Sequence, residues 1–145
     1  MAIIPVYFDL KELVCKEVFS KFGVIAWQFF DPRLMQTIEW IRERMGRPIF
    51  VNNWDSGGDK DERGFRCIQC SLLKDAIAQN RLYVSPHSLG QAIDCDIEGM
   101  VAEEVRQWLI KNKGQLPHPI RLENNVSWVH IDVQDTGQKV YLFNP

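Results

Sequence analysis

Apolar residues recur at four-residue intervals from Asp9 to Phe22, at Leu10, Val14, Val18 and Phe22, with Leu13 beside them. That interval places them on one face of a helix. The start is well specified: Asp9 caps, Glu12 completes a capping box, and Phe8 and Leu13 form a hydrophobic staple. Gly23 is placed to end the helix. A second helix is predicted over Asp31 to Met45, with Asp31 as cap, Pro32 in the first turn and Gly46 after the end. Its stripe is Leu34, Ile38, Ile41 and Met45, and the apolar stretch VIAWQFF between the two helices reads as a buried connector. Ser71 to Ala78 makes a short third helix. Glu98 to Lys113 makes a fourth, with Val101, Val105, Trp108 and Leu109 facing inward.

The other periodicity is two. In AIDCDI, Ala92, Asp94 and Asp96 point one way and Ile93, Cys95 and Ile97 the other. In VSWVHIDV, Val126 to Val133, Val129, Ile131 and Val133 share a face opposite Trp128, His130 and Asp132. Arg47 to Asn53 adds a further strand and Ile120 to Leu122 a short one. DTGQ is predicted to turn the Val126–Val133 strand into a hairpin with KVYLF. This order predicts an α+β fold, with helices packed on one face of a mainly antiparallel sheet.

Composition narrows the picture without redirecting it. The chain has 145 residues, which predicts a single domain over 1–145 with a substantial core. A net charge of −2 gives no electrostatic case for nucleic acid or an anionic membrane. No apolar run reaches the length of a membrane span, and MAIIPVYFDLKEL shows no basic region before an apolar core and no small-residue cleavage site. The expectation is a chain made in the cytoplasm. Cys67 and Cys70 are spaced as half a zinc knuckle or a redox pair. Without a second such pair they read as two reduced thiols near a helix start.

Candidate chemistry gathers around SPHSLGQAIDCDI, Ser85 to Ile97. Gly90 supplies a tight turn between His87 and the strand bearing Asp94. With the two alternating strands side by side, His87, Asp94 and His130 would share a wall. Two imidazoles and a carboxylate suit zinc, leaving the fourth position to water. His118, between two prolines, has no comparable spacing. The thirteen-residue loop WDSGGDKDERGFR is long for a compact domain and invites a functional reading.

The pattern Ser85-Pro86-His87, Gly90, Ala92, Asp94, then Trp128-Val129-His130, resembles the zinc-peptidase family of D-alanyl-D-alanine carboxypeptidases and dipeptidases, whose metal core also occurs in the hedgehog signalling domain. Short peptidase-like proteins encoded by bacteriophages resemble it most. The resemblance spans about Asp31 to Val133. It implies the same α+β arrangement, Zn2+ held by His87, Asp94 and His130, and a peptide of the bacterial cell wall as substrate. It also implies an arginine clamp on the substrate carboxylate, Arg66 or Arg63, and an orienting role for Ser85. Such an arginine can hold a carboxylate through two parallel hydrogen bonds; the alternative is a solvated loop whose arginines pair with Asp59, Asp61 and Glu62.

Zinc acidifies its bound water and polarises a scissile carbonyl, but proton transfer needs a base. The family places an acid three residues before its last histidine, where this chain has Ser127. Glu123 is the substitute base. Asp132, about 7 Å along the strand from His130, is the orienter or rim acid. Two readings follow: an active zinc peptidase delivered by a separate lysis system, or a catalytically lapsed virion or binding component that contacts other phage structural proteins.

Overall fold

The computed structural model describes residues 1–145. Its helices are α1 (Leu10–Leu13), α2 (Lys16–Phe22), α3 (Pro32–Met45), α4 (Ser71–Ala78) and α5 (Ala102–Lys111). Its strands are β1 (Ile49–Phe50), β2 (Ala92–Ile97), β3 (Ile120–Glu123), β4 (Val129–Asp132) and β5 (Val140–Phe143). The sheet runs β1-β2-β4-β3-β5, antiparallel except where β5 lies parallel to β3. The fold is α+β with a mixed five-stranded sheet.

One apolar core joins helices to sheet. Leu34, Met35, Ile38 and Ile41 of α3 and Val105 and Leu109 of α5 pack with Ile93, Cys95, Ile120, Leu122, Val129 and Ile131. Alternation along β2, β3 and β4 leaves Asp94, Arg121, Glu123, His130 and Asp132 on the opposite face. α3 begins and ends where its caps predict: Asp31 accepts from the Arg33 N–H, and Gly46 adopts the left-handed conformation at φ 63°.

Several elements differ from expectation. The helix expected over Asp9 to Phe22 breaks at Val14 and Cys15. Its capping box is present, but the Leu13 carbonyl accepts from the Phe65 N–H, and the Val14 carbonyl from Asn52 Nδ2 and Trp54 Nε1. Those partners lie far along the chain and draw the backbone into an extended conformation at Val14. The expected hairpin between β4 and β5 does not form. Both edges of β4 are taken by β2 and β3, so β5 pairs with the free edge of β3, Ile120 opposite Val140.

β4 starts at Val129 rather than Val126, because the Val126 and Trp128 carbonyls accept from the buried Arg106 of α5. The strand expected over Arg47 to Asn53 shrinks to Ile49–Phe50; beyond it, Asn52 bonds to Glu12 and Arg63. All of the connector VIAWQFF but its last residue lies in a 3₁₀ helix, Gly23–Phe29, that buries Ala26 and Trp27 and exposes Val24 and Ile25. α5 starts after Val101, which is exposed rather than inward-facing. No helix is long and apolar enough to cross a membrane.

Candidate metal centre

Asp94 and His130 stand directly opposite each other on β2 and β4, interior strands of the sheet. Directly opposed residues of an antiparallel pair lie about 5 Å apart, so the register itself makes them neighbours. His130 Nδ1 lies 2.9 Å from Asp94 Oδ1. His87 arrives from the Ser85–Gly90 turn and brings its Nε2 to 3.3 Å from Asp94 Oδ2. All three residues are buried, and each contributes a ligand atom within 4.8 Å of the others. This group can hold a metal ion.

The turn that carries His87 is tightly determined. Ser88 Oγ donates to the Ser85 carbonyl and accepts from the Ser85 N–H. Gly90 has φ 70°, and a Cβ there would overlap the Phe29 carbonyl, so only glycine fits. Its own carbonyl accepts from the Asp31 N–H, tying the turn to the start of α3.

Each imidazole is anchored on the side away from Asp94. His87 Nδ1 donates to the Gly64 carbonyl at 2.9 Å, which turns Nε2 toward Asp94. His130 Nε2 lies 2.8 Å from Asp132 Oδ2. A fully buried Asp132 is held in turn by two guanidinium nitrogens of Arg121, each at 2.9 Å. Metal-ligating histidines are oriented in this way, through a carbonyl or carboxylate on the second ring nitrogen.

The charges reinforce the geometry. Burial alone would push the Asp94 carboxyl up, yet hydrogen bonds from His130 and His87 outweigh it and hold Asp94 well below the usual carboxylate range. For His130, burial favours the neutral ring, but Asp132 and Asp94 together raise its pKa to about 9. Burial also opposes ionisation of Asp132, and His130 and Arg121 reverse that, lowering its pKa.

The three side chains border a cavity of about 320 Å³, together with Arg66, Ser85, Arg121, Glu123, Trp128 and Phe143. A second concavity of about 380 Å³ adjoins it across Asp94 and Trp128; it holds Arg63, Asp96 and Ser127. The sequence-selected residues therefore sort by place. Glu123 lines the same cavity as the triad, whereas Asp132 lies behind His130, locked to Arg121. Arg66 reaches Asp94 Oδ2 at 3.2 Å and also donates to the Tyr83 hydroxyl and the Glu62 carbonyl. Ser85 donates to the same tyrosine oxygen. Arg63 turns to the second concavity, where it pairs with Asp96 at 2.7 Å. His118 is remote, bonded to Gln36.

Three contributors escaped sequence reasoning. Tyr83 joins Arg66 to Ser85, Arg121 clamps Asp132, and the Gly64 carbonyl sets the His87 ring. Arg121 carried a readable signal. It alternates with Ile120 and Leu122 and so must face the site side, where it stands opposite Asp132. No family model matches the sequence, and neither the curated proteins nor the solved structures contain a match. The functional reading rests on the residues themselves.

Proposed function

We propose that the protein is a zinc-dependent peptidase acting on short peptides of the bacterial cell wall, with His87, Asp94 and His130 as metal ligands. The observation that carries this reading is the convergence of a His-Asp-His donor set, each imidazole fixed from behind, on a cavity that also presents Glu123 and Arg66. The ligand atoms of the three residues lie within 4.8 Å of one another, close enough to share one ion. Such an ion supplies a Lewis acid for the scissile carbonyl and acidifies a water.

The chain's own residues divide the remaining work. Asp132 and the Gly64 carbonyl keep the imidazoles oriented, so that no reorganisation is needed when substrate enters. Glu123, on the cavity wall, takes the proton of the attacking water and returns it to the leaving amine. Arg66 keeps guanidinium N–H groups beyond those bonded to Tyr83, Glu62 and Asp94, and can bind the terminal carboxylate of a peptide.

A second reading is a binding or virion component on the same fold with catalysis lapsed. What favours it is Ser127, which stands where the resembling peptidases have an acid and lies outside the triad cavity. Metal analysis followed by release of amino acids from peptidoglycan peptides separates the two. The peptidase reading expects bound zinc and release that Glu123→Gln abolishes while zinc is retained. Bound zinc with no release, or release unaffected by Glu123→Gln, overturns the assigned role.

A further inference from the structure

The break between α1 and α2 has a second consequence. It places Cys15 beside Cys67 and Cys70, residues more than fifty positions further along the chain. Cys15 Sγ lies 3.6 Å from Cys67 Sγ, and Cys67 Sγ lies 3.9 Å from Cys70 Sγ. All three sulfurs fall within 4.8 Å of one another, and none is in a disulfide. Tetrahedral zinc with Zn–S bonds near 2.3 Å separates its sulfur ligands by about 3.8 Å. The observed spacings bracket that value.

The surroundings also match a thiolate site. The Gln69 N–H donates to Cys67 Sγ at 3.4 Å. The Cys70 N–H closes a tight turn onto the Cys67 carbonyl, so the two sulfurs of this turn face the same point. Cys15 and Cys70 are buried; Cys67 is partly exposed and borders a cavity of about 250 Å³ lined also by Glu17 and Lys21. Three thiols packed this closely without a cation could not ionise together, whereas soft divalent and monovalent ions select such a sulfur set.

We infer that Cys15, Cys67 and Cys70 hold a second, thiolate-bound zinc ion, separate from the His87–Asp94–His130 site. Three Cys S–H protons pass to solvent as three Zn–S bonds form, and a water from the adjoining cavity completes the tetrahedron. The site is a staple. It fastens the start of α2 to the turn that follows Arg66, and so fixes the segment from which Gly64 grips His87 and Arg66 reaches Asp94.

The test is metal stoichiometry and cobalt spectroscopy on the full chain, purified under reducing conditions. The unaltered protein is expected to carry two zinc ions per chain. Cys67→Ser/Cys70→Ser should carry one, His87→Ala/His130→Ala should carry one, and Cys95→Ser should keep two. Cobalt(II) loaded into the unaltered chain should show thiolate-to-cobalt charge-transfer absorption in the near ultraviolet. That absorption should persist in His87→Ala/His130→Ala. The cobalt measurement decides the matter even if the cysteine variants do not fold. Absence of that absorption, or a disulfide between any two of the three cysteines in the reduced preparation, overturns the inference. Loss of the histidine-bound ion alone would sink the proposed peptidase reading and leave this one standing.

Discussion

Two three-residue clusters in this molecule can each surround a cation, and they are built in opposite ways. Two members of the His87–Asp94–His130 group stand opposite each other on paired interior strands, and each imidazole has a protein partner behind it. Cys15, Cys67 and Cys70 come instead from a helix break and a turn, with no strand among them. Strands hold side chains to tight tolerances, which reacting groups require. A turn closed on sulfur needs only to stay closed. The first cluster also opens on a cavity bearing an acid and an arginine, whereas the second gathers sulfur alone at its centre. The ligand count is equal; what differs is the support.

Breaking the proposed chemistry while sparing both candidate metal sites should give the largest effect. Glu123→Gln removes the proposed proton carrier but no proposed ligand and no support for one. The expected loss of turnover is about 100- to 10,000-fold, with zinc content unchanged by mass spectrometry. A loss below tenfold would place the base elsewhere. Asp132→Ala tests the support of the strand-built cluster. Without it His130 Nε2 has no partner and Arg121 loses its buried carboxylate, so zinc affinity at that cluster should fall by about 10- to 100-fold. The sulfur-bound ion should be untouched, which competition with a graded series of chelators would resolve.

Proton release sharpens the contrast. With no metal, Asp132 and Asp94 hold His130 protonated up to about pH 9, so a metal ion binding at pH 7 to 8 must displace that proton. Asp94 is ionised throughout that range and contributes none. Affinity should therefore rise by about tenfold per pH unit and level off above about pH 9. The raised His130 pKa also stabilises the metal-free fold below about pH 6.5. That contribution is lost as pH climbs through about 9. Calorimetry of His87–Asp94–His130 loading in buffers of different ionisation heat should report the displaced proton. No release at pH 7.5 would mean that His130 is not a ligand. The thiol cluster should release more protons per ion, since burial and its neighbours push the Cys67 thiol up from its ordinary value.

What could be read in the sequence follows the range of the forces involved. α3 was legible because Asp31, Pro32 and Gly46 act on their own neighbours. The faces of β2 and β4 were legible because alternation is local, and that alternation put Asp94 and His130 on one side. Their register, Asp94 opposite His130, was not: it is set across 36 residues by pairing. The break at Val14 was hidden behind a sound capping box and an unbroken apolar stripe. Only donors from Asn52, Trp54 and Phe65 reveal it. Cys15 accordingly falls inside the helix predicted over Asp9 to Phe22, far in sequence from the Cys67–Cys70 pair. The hairpin into β5 failed for the same reason. DTGQ is a local turn signal, and occupancy of both edges of β4 is not.

The smallest effect should come from Arg63→Ala, and it tests which concavity receives substrate. The Arg63 guanidinium pairs with an Asp96 side chain that is 53% exposed, and such pairs contribute about 0.2–1 kcal/mol. Its backbone does more: the Arg63 carbonyl accepts from the Asp94 N–H at 2.7 Å, and its own N–H donates to Asn52. Those bonds survive the substitution, so Asp94 stays in place. The melting temperature should fall by no more than about 4 °C, with both ions retained and KM for a short peptide changed by less than about fivefold if Arg63 does not contact it. Arg66→Ala should raise KM more, because Arg66 borders the triad cavity and touches Asp94. Were Arg63→Ala to have the larger effect on KM, the substrate carboxylate would belong in the concavity of Asp96 and Ser127. The peptide would then approach the metal across Trp128 rather than past Tyr83.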